Sequence, residues 1–495
     1  MKTVLLTLSV MFAALMFSNA TQAATLSDIL EQAAYQQETA NNPERAIQLY
    51  KQVIESENAT REMSAQALYN TGLCYAKLKR NKEADQAFGA VVSQYRNVEP
   101  YYRLANAQLN PAYTPSAPHW QDGERLEYEI RAKNDDQVRN YFWTTTTRTN
   151  WNGHATWKLL NRSLGNNGLS MVIVDEASLR PLYSRAYNPA YGDANATWTN
   201  HSIEIAHGDQ DTPTAVQLDG VVYDSEENFW LMRQMPMSVG TKIRYQLLPS
   251  ILTDKTIPVE IEVVGEEQVQ VPAGQFTAYK LATNNGLTNI WIDKGPERYL
   301  LKIATPTSSH QLKSVSAVTP GATRTVTSSL TNFDIAIPDE WFSVVRQGDR
   351  KQSGTKTVNG KSDSALVTTP KEDIHLIDDD TKLKVQISII DTRPLQGYDN
   401  FDLSLAGRTA DWMQSAQKQL NGYAERTESK TDSMIAKLPA LSSIVDFRER
   451  GKDWVLYATS TIRDGKFVWI GCFAPKDVFS TKKAAFDKML STVTF

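Results

Sequence analysis

The hydrophobic period of this chain changes near 110–118, and that change divides its N-terminal part from the rest. From Leu26 to Tyr95 apolar residues recur at helical spacing. Beyond a proline-containing stretch at 110–118 they alternate with polar residues. A period near 3.6 buries one stripe of a helix and a period of 2 buries one face of a strand, so neither segment can take the other's fold. At 495 residues the chain is also too long for a single core. The expected architecture is multidomain: N-terminal all-α helical hairpins, a middle antiparallel curved β-sheet and a C-terminal α/β sandwich. The expected boundaries are an export signal at 1–23, helices at 24–110, a linker at 111–122, the sheet at 123–318, a second linker at 319–330 and the α/β part at 331–495.

The first residues have the layout of a secretory signal. Lys2 supplies a positive start, Val4 to Phe17 is apolar apart from Thr7 and Ser9, and small residues lead to a cut after Ala23. The apolar run is shorter than the roughly 20 residues of a membrane span, and no cysteine stands at the cut to take a lipid. The expectation is an exported, soluble, periplasmic or secreted protein. Formal charge is −4, which excludes the basic footprint of a nucleic-acid binder. Cys74 and Cys472 are the only cysteines and sit among apolar neighbours, which points to two buried free thiols more than to a disulfide.

In the helical part, Asn42 caps a helix with Pro43 in its first turn, and four helices are expected between Leu26 and Tyr95. Leu68, Thr71, Gly72, Tyr75, Ala84 and Phe88 have the types and spacing that let two helices approach at a glycine, with aromatic residues filling the wedge. Upstream, Leu30, Ala34, Ala46 and Tyr50 repeat the pattern, with Ala34 where glycine is usual and Gln37 where tyrosine is usual. The segment resembles the tetratricopeptide repeat. That resemblance implies a groove for a protein or peptide partner, with Tyr69 and Tyr75 as candidate contacts. A helical cap that packs on the next domain is the plainer alternative.

The middle part alternates, as in Leu126, Tyr128 and Ile130, and turns are marked at Pro272-Ala273-Gly274 and Asn284-Asn285-Gly286. The one helix expected here runs from Glu226 to Met235. Four groups of residues stand in order: Gly123, Glu124, Leu126, Tyr128; then Tyr223, Asp224, Ser225, Leu231, Arg233, Pro236, Gly240; then Val269, Val271, Pro272, Ala273, Gly274, Phe276, Tyr279, Lys280; then Trp291, Asp293, Arg298, Lys302. In this the segment is similar to the β-rich exported family DUF3108, which implies a curved antiparallel sheet and no activity. Asp224 with Arg233, and Asp293 with Arg298, are candidate ligand contacts or buried ion pairs. The seven tryptophans from Trp120 to Trp291 either fill the sheet or form an aromatic platform for a lipid or glycan. His201, His207 and Asp209 are spaced too widely along a strand to share a metal ion.

Near the C-terminus, Phe333, Ile335, Ile337, Pro338 and Trp341 begin a strand. Leu405 to Leu420 is amphipathic, Arg463-Asp464-Gly465 is a hairpin turn, and Thr481 to Leu490 is a closing helix. Val318 to Leu330 is a linker or a last strand. With Phe467, Trp469, Phe479, Phe486, Met489, Leu490 and Phe495, this order resembles the Mog1/PsbP-like fold, whose members include adaptors and assembly factors. Asp378, Asp379 and Asp380 read as a solvated acidic tip. No HExxH, GxSxG, Walker loop, GxGxxG or CxxC occurs. No catalytic residue, cofactor or metal site is expected. The leading expectation is a non-catalytic periplasmic adaptor or envelope-maintenance protein. The alternatives are a lipid or glycan carrier using the tryptophan-rich sheet, with Trp291 among its contacts, and a hydrolase with a carboxylate pair that leaves no motif.

Overall fold

The computed structural model describes residues 25–109, 113–165, 168–188, 191–199, 201–208, 212–218, 220–283, 286–378, 383–426, 431–449 and 451–495. The export signal expected at 1–23, the turn positions Asn284 and Asn285, and Asp209, Asp379 and Asp380 lie outside them. The chain divides into two compact units, one holding the helices up to Tyr113 and one holding Thr114–Leu218 with Val222–Phe495.

The first unit contains helices α1 (Leu26–Glu38), α2 (Pro43–Ile54), α3 (Arg61–Lys77), α4 (Asn81–Gln94) and α5 (Tyr101–Leu109). The starts of α1, α2 and α3 are each set by a side chain that takes an orphan N–H. Thr25 and Asp28 form a reciprocal box at 3.2 and 2.8 Å. Asn42 accepts from Arg45 at 3.1 Å, and Thr60 accepts from Met63 at 3.1 Å. Leu30, Ala33, Ala46, Tyr50, Val53, Ala67 and Cys74 form one core. Tyr69, Ala84, Phe88, Val91 and Ala105 form the next. Gly72 is where helices α3 and α4 touch: a Cβ there would stand 2.5 Å from the Phe88 ring. Helix α5 was not anticipated; its apolar signal is short, and Ala105 is its one buried residue.

The second unit begins with a fifteen-stranded sheet among the described residues. Eight strands from Glu124–Ala132 to Thr214–Gln217 run as consecutive antiparallel neighbours. Six more, from Lys242–Leu248 to Ser308–Ala317, do the same. The two meanders are joined through their ends: the first strand pairs antiparallel with the last, Glu124 opposite Ala317. The short strand Val222–Asp224 lies parallel to Lys242–Leu248 at the far edge. The Pro272-Ala273 turn joins Ile257–Val271 to Gly274–Thr283, as expected.

A second sheet, of eight strands among the described residues, follows. Its path runs Phe342–Val358, Lys361–Ile377, Lys384–Asp391, Lys466–Pro475, Lys452–Arg463, Leu438–Glu449 and Asn421–Glu425, with Thr431–Ile435 also paired to Leu438–Glu449. Helix Lys476–Leu490 covers one face, packing Phe479, Phe486, Met489 and Leu490 on Ile374, Val385, Ile387 and Ile470. Helix Leu405–Gln419 covers part of the other with Trp412 and Met413 over Leu456, Phe467 and Trp469. This is the expected α/β sandwich. The serine- and threonine-rich stretch before it resolves as a strand: Thr323–Thr327 pairs with Asp334–Pro338. The 17-residue hairpin Phe342–Val358/Lys361–Ile377 was not anticipated, because its tip is polar on both faces and carries no period.

The two sheets share a core. Phe342, Val344 and Ile377 of the second pack against Tyr141, Trp143, Leu160 and Leu169 of the first. The Trp143 and Phe342 rings stack with centroids 5.1 Å apart. Beside them Arg162, fully buried, donates to the Asp378 carbonyl at 3.0 Å and faces its carboxylate at 3.5 Å. Asp378 is therefore not part of a solvated tip. A buried guanidinium stays charged, so leaving it unpaired would be costly, and that cost holds the aspartate inside.

Candidate functional site

The sequence motifs of the middle part converge on one segment. Ser225–Glu227 is a 3-10 turn and Asn228–Arg233 a short helix, so the helix expected from 226 to 235 is present but starts as a tighter turn. Across the sheet face this segment packs Trp230 against Trp120, Trp157, Leu159, Val172 and Val174. Trp120 comes from the expected linker at 111–122 and is bound into this core; Ser116, from the same stretch, donates to the Gln234 carbonyl at 3.0 Å. The tryptophans here are occupied by one another and by the chain's own segment, with Trp120 edge-on to Trp157 at 6.0 Å.

The two expected ion pairs do not form between the residues named. Arg233 pairs with Glu124 instead, at 2.6 and 3.1 Å, and donates to the Glu297 and Arg298 carbonyls at 2.7 and 3.0 Å. Asp224 caps the turn: its carboxylate accepts the Glu226 N–H at 2.9 Å, while Glu227 accepts the Asp224 N–H at 2.9 Å. Arg298 donates to the Met235 carbonyl at 2.8 Å. Asp293 is held by the N–H groups of Gly295 and Lys294. The reason is geometric: a residue on a tight turn reaches its own backbone before it reaches a partner nine residues on. Asp224 and Arg233 are buried.

Three carboxyls meet at this turn. Burial first, then the charge of Glu226, pushes Asp224 up to about 7. Burial raises Glu226, and burial with the charge of Asp224 pushes Glu227 well up. Such raised values suit proton transfer, but Asp224 and Glu227 are sealed and their oxygens cap a turn, while the half-buried Glu226 is held by Ser225 and Ser170.

Elsewhere the candidate residues separate. Trp291 donates its indole N–H to Glu267 at 2.6 Å, with Lys280 and Lys302 each 5.4 Å from its ring. In the helical unit Tyr69 is buried between Phe88 and Tyr101, at 5.8 and 6.1 Å. Tyr75 is half-buried, and the Arg80 guanidinium lies 4.7 Å above its ring. His201 and His207 stand at opposite ends of strand Ser202–His207. Among the described residues no group of three or more His, Cys, Asp or Glu is placed to hold a metal, and no helix is long and apolar enough to cross a membrane. Cys74 and Cys472 are free and buried.

One cleft was missed by the sequence reasoning. On the face of the second sheet that carries helix Leu405–Gln419, two separate hollows flank the helix: one measures ≈ 680 Å³, and the one facing Phe342–Val358 measures ≈ 550 Å³. Its walls include Arg350, Lys371, Gln386, Trp412, Trp469 and Phe473. Strand register explains the grouping: Lys384 opposes Phe473, Gln386 opposes Gly471, and residues two apart share a face. Gly471 gives Trp469 room to lie flat, since a Cβ there would meet the indole at 2.2 Å. Trp412 and Trp469 sit 5.1 Å apart, and the Arg350 guanidinium lies 5.7 Å from the Trp412 ring. The Trp469 indole nitrogen is buried without a hydrogen-bond partner. Along the same face burial, then Lys384, pushes His375 down to about 4, and burial lowers Lys384. Nothing in the sequence marks this cleft, because its members come from five strands and a helix.

Comparison with known proteins agrees with the segments. The family model described as protein of unknown function DUF3108 matches residues 127–311. A tetratricopeptide-repeat model matches residues 66–97. No curated protein matches the chain. Among solved structures, a protein of unknown function from Pseudomonas aeruginosa is 16% identical, covers 35% of this chain and 98% of its own, and has a TM-score of 0.21. Cyanobacterial PsbP from Synechocystis is 11% identical over 37% of this chain and 96% of its own, with a TM-score of 0.25. LpqN of Mycobacterium tuberculosis, involved in cell envelope biogenesis, is 11% identical over 35% of this chain and 90% of its own, with a TM-score of 0.20.

Proposed function

We propose that this chain is an exported, non-catalytic envelope protein that docks a protein or peptide partner on its N-terminal helices. The observation that carries this reading is the repeat itself. Residues 66–97 match a tetratricopeptide model, and α3 and α4 pack through Gly72 and Phe88 as such repeats require. The helical unit also exposes Tyr35 by 56% on α1 and Leu104 by 40% on α5. In favour of a non-catalytic role, the Asp224 and Glu227 carboxyls are buried and spent on capping a turn.

A photo-crosslinking amino acid at Tyr35 or Leu104, in the full chain and in living cells, tests the docking reading. The expected result is a discrete adduct that is lost when residues 25–109 carry Gly72→Trp, which wedges α3 from α4. A chain that forms no adduct from either position, with Gly72 intact, refutes it. N-terminal sequencing of the exported chain tests the leader; a first residue of Ala24 is expected, and an intact Met1 refutes cleavage.

A further inference from the structure

We propose that the ≈ 550 Å³ cleft between strand Phe342–Val358 and helix Leu405–Gln419 binds a carboxylated sugar. Its volume lies within the ~300–1,000 Å³ of ordinary small-molecule sites. Arg350 supplies the anion contact. Its guanidinium is held beside Trp412, and no carboxylate is paired with it among the described residues. A guanidinium so placed keeps its fork for a planar carboxylate. Lys371 is already engaged by Asp373 at 2.7 Å and contributes field more than contact.

The rest of the wall selects the body of the ligand. Trp412, Trp469 and Phe473 offer apolar surface, which would suit a hydrocarbon acid equally well. Interleaved with them are Gln386, Ser415 and Gln419. A hydrocarbon acid would strip water from these groups and return nothing, whereas sugar hydroxyls both donate and accept. An aromatic wall beside amides and one unpaired guanidinium therefore fits a saccharide ring bearing a carboxylate. This site is independent of the helical docking reading and stands or falls without it.

The test uses the full chain with D-glucuronate as probe and glucose, benzoate and inorganic phosphate as comparisons, read by saturation-transfer NMR and tryptophan fluorescence. Glucuronate is expected to bind saturably, with glucose and the Arg350→Gln chain each about tenfold weaker, the loss of one charge-assisted bidentate contact. Arg350→Lys is expected to fall between them. Near-UV circular dichroism checks that the Trp412–Trp469 packing survives each change. Any of four results overturns the proposal: no saturable glucuronate binding, equal binding by a folded Arg350→Gln chain, benzoate binding as tightly as glucuronate, or phosphate competing as well as the sugar.

Discussion

Removing the Glu124 carboxylate isolates what holds the middle segment in place. Arg233 is 1% exposed and Glu124 6% exposed, so this pair is desolvated on both sides. Four contacts fix the guanidinium: two to Glu124 and one each to the Glu297 and Arg298 carbonyls. Trp120 and Tyr299 lie 5.7 and 5.8 Å from it. In Glu124→Ala the carbonyls remain but the negative charge is gone, and the buried guanidinium is left without its counter-charge. Breaking a buried pair from one side costs about 3–5 kcal/mol. For a unit this large, about 2 °C per kcal/mol puts the fall in melting temperature at about 6–10 °C. Scanning calorimetry of the full chain reads it. The double variant Glu124→Ala/Arg233→Met removes both charges and should recover much of the loss, giving a coupling term well above the ~0.5 kcal/mol expected of unrelated sites. If Glu124→Ala melts with the native chain, or the double variant is as unstable as the sum of the singles, the pair is not what pins this segment.

Other consequences follow from the same structure. Asp224 has a folded-state value raised to about 7 against an ordinary 3.8, so the native state holds its proton more tightly than the unfolded one. Its contribution to stability is complete below about pH 4 and is lost as pH rises through 7, and Asp224→Asn should flatten that fall in a melting series from pH 4 to 8; an unchanged slope refutes it. Gly72→Ala should destabilise the helical unit by about 1–2 kcal/mol in urea, overpacking against Phe88 outweighing the ~1 kcal/mol that alanine adds to a helix; a stabilised variant would mean the ring moves freely. Burial pushes the Cys74 thiol up to about 11 and raises Cys472 further, so a thiol reagent at pH 8 should label neither before unfolding and both after it. Rapid labelling of the folded chain would contradict the packing.

What could be read in advance was whatever a periodic face writes into neighbouring residues. The α3–α4 hairpin was legible because Gly72, Tyr75, Ala84 and Phe88 are close in sequence and meet in space. Both helices of the C-terminal sandwich carry an apolar stripe and were placed within a few residues. The hairpin Phe342–Val358/Lys361–Ile377 was not, because its outermost residues, 356–366, are exposed on both sides and alternation needs one buried face. Asp224 and Arg233 were recognised as belonging together, yet their partners are a backbone turn and Glu124, more than a hundred residues away. Pairing at that distance leaves no local trace. The Arg350 cleft failed for the same reason: Trp469 and Trp412 are 57 positions from one another in number and 5.1 Å apart in space.

The closure of the first sheet, in which its opening strand lies beside its final one, has a mechanical meaning. Glu124 sits opposite Ala317, and the Val318 N–H donates to the Gly123 carbonyl at 2.7 Å, so the chain enters and leaves this sheet at a single point. Tension applied to the two ends of the polypeptide would load that point first. It would peel the strands apart like a zip, one cross-strand bond at a time, instead of shearing them all together. The Arg233–Glu124 pair stands on the first tooth of that zip. Under load, that pair would then help set the force at which some two hundred residues begin to unravel, and Glu124→Ala should lower that force in a single-molecule pulling trace.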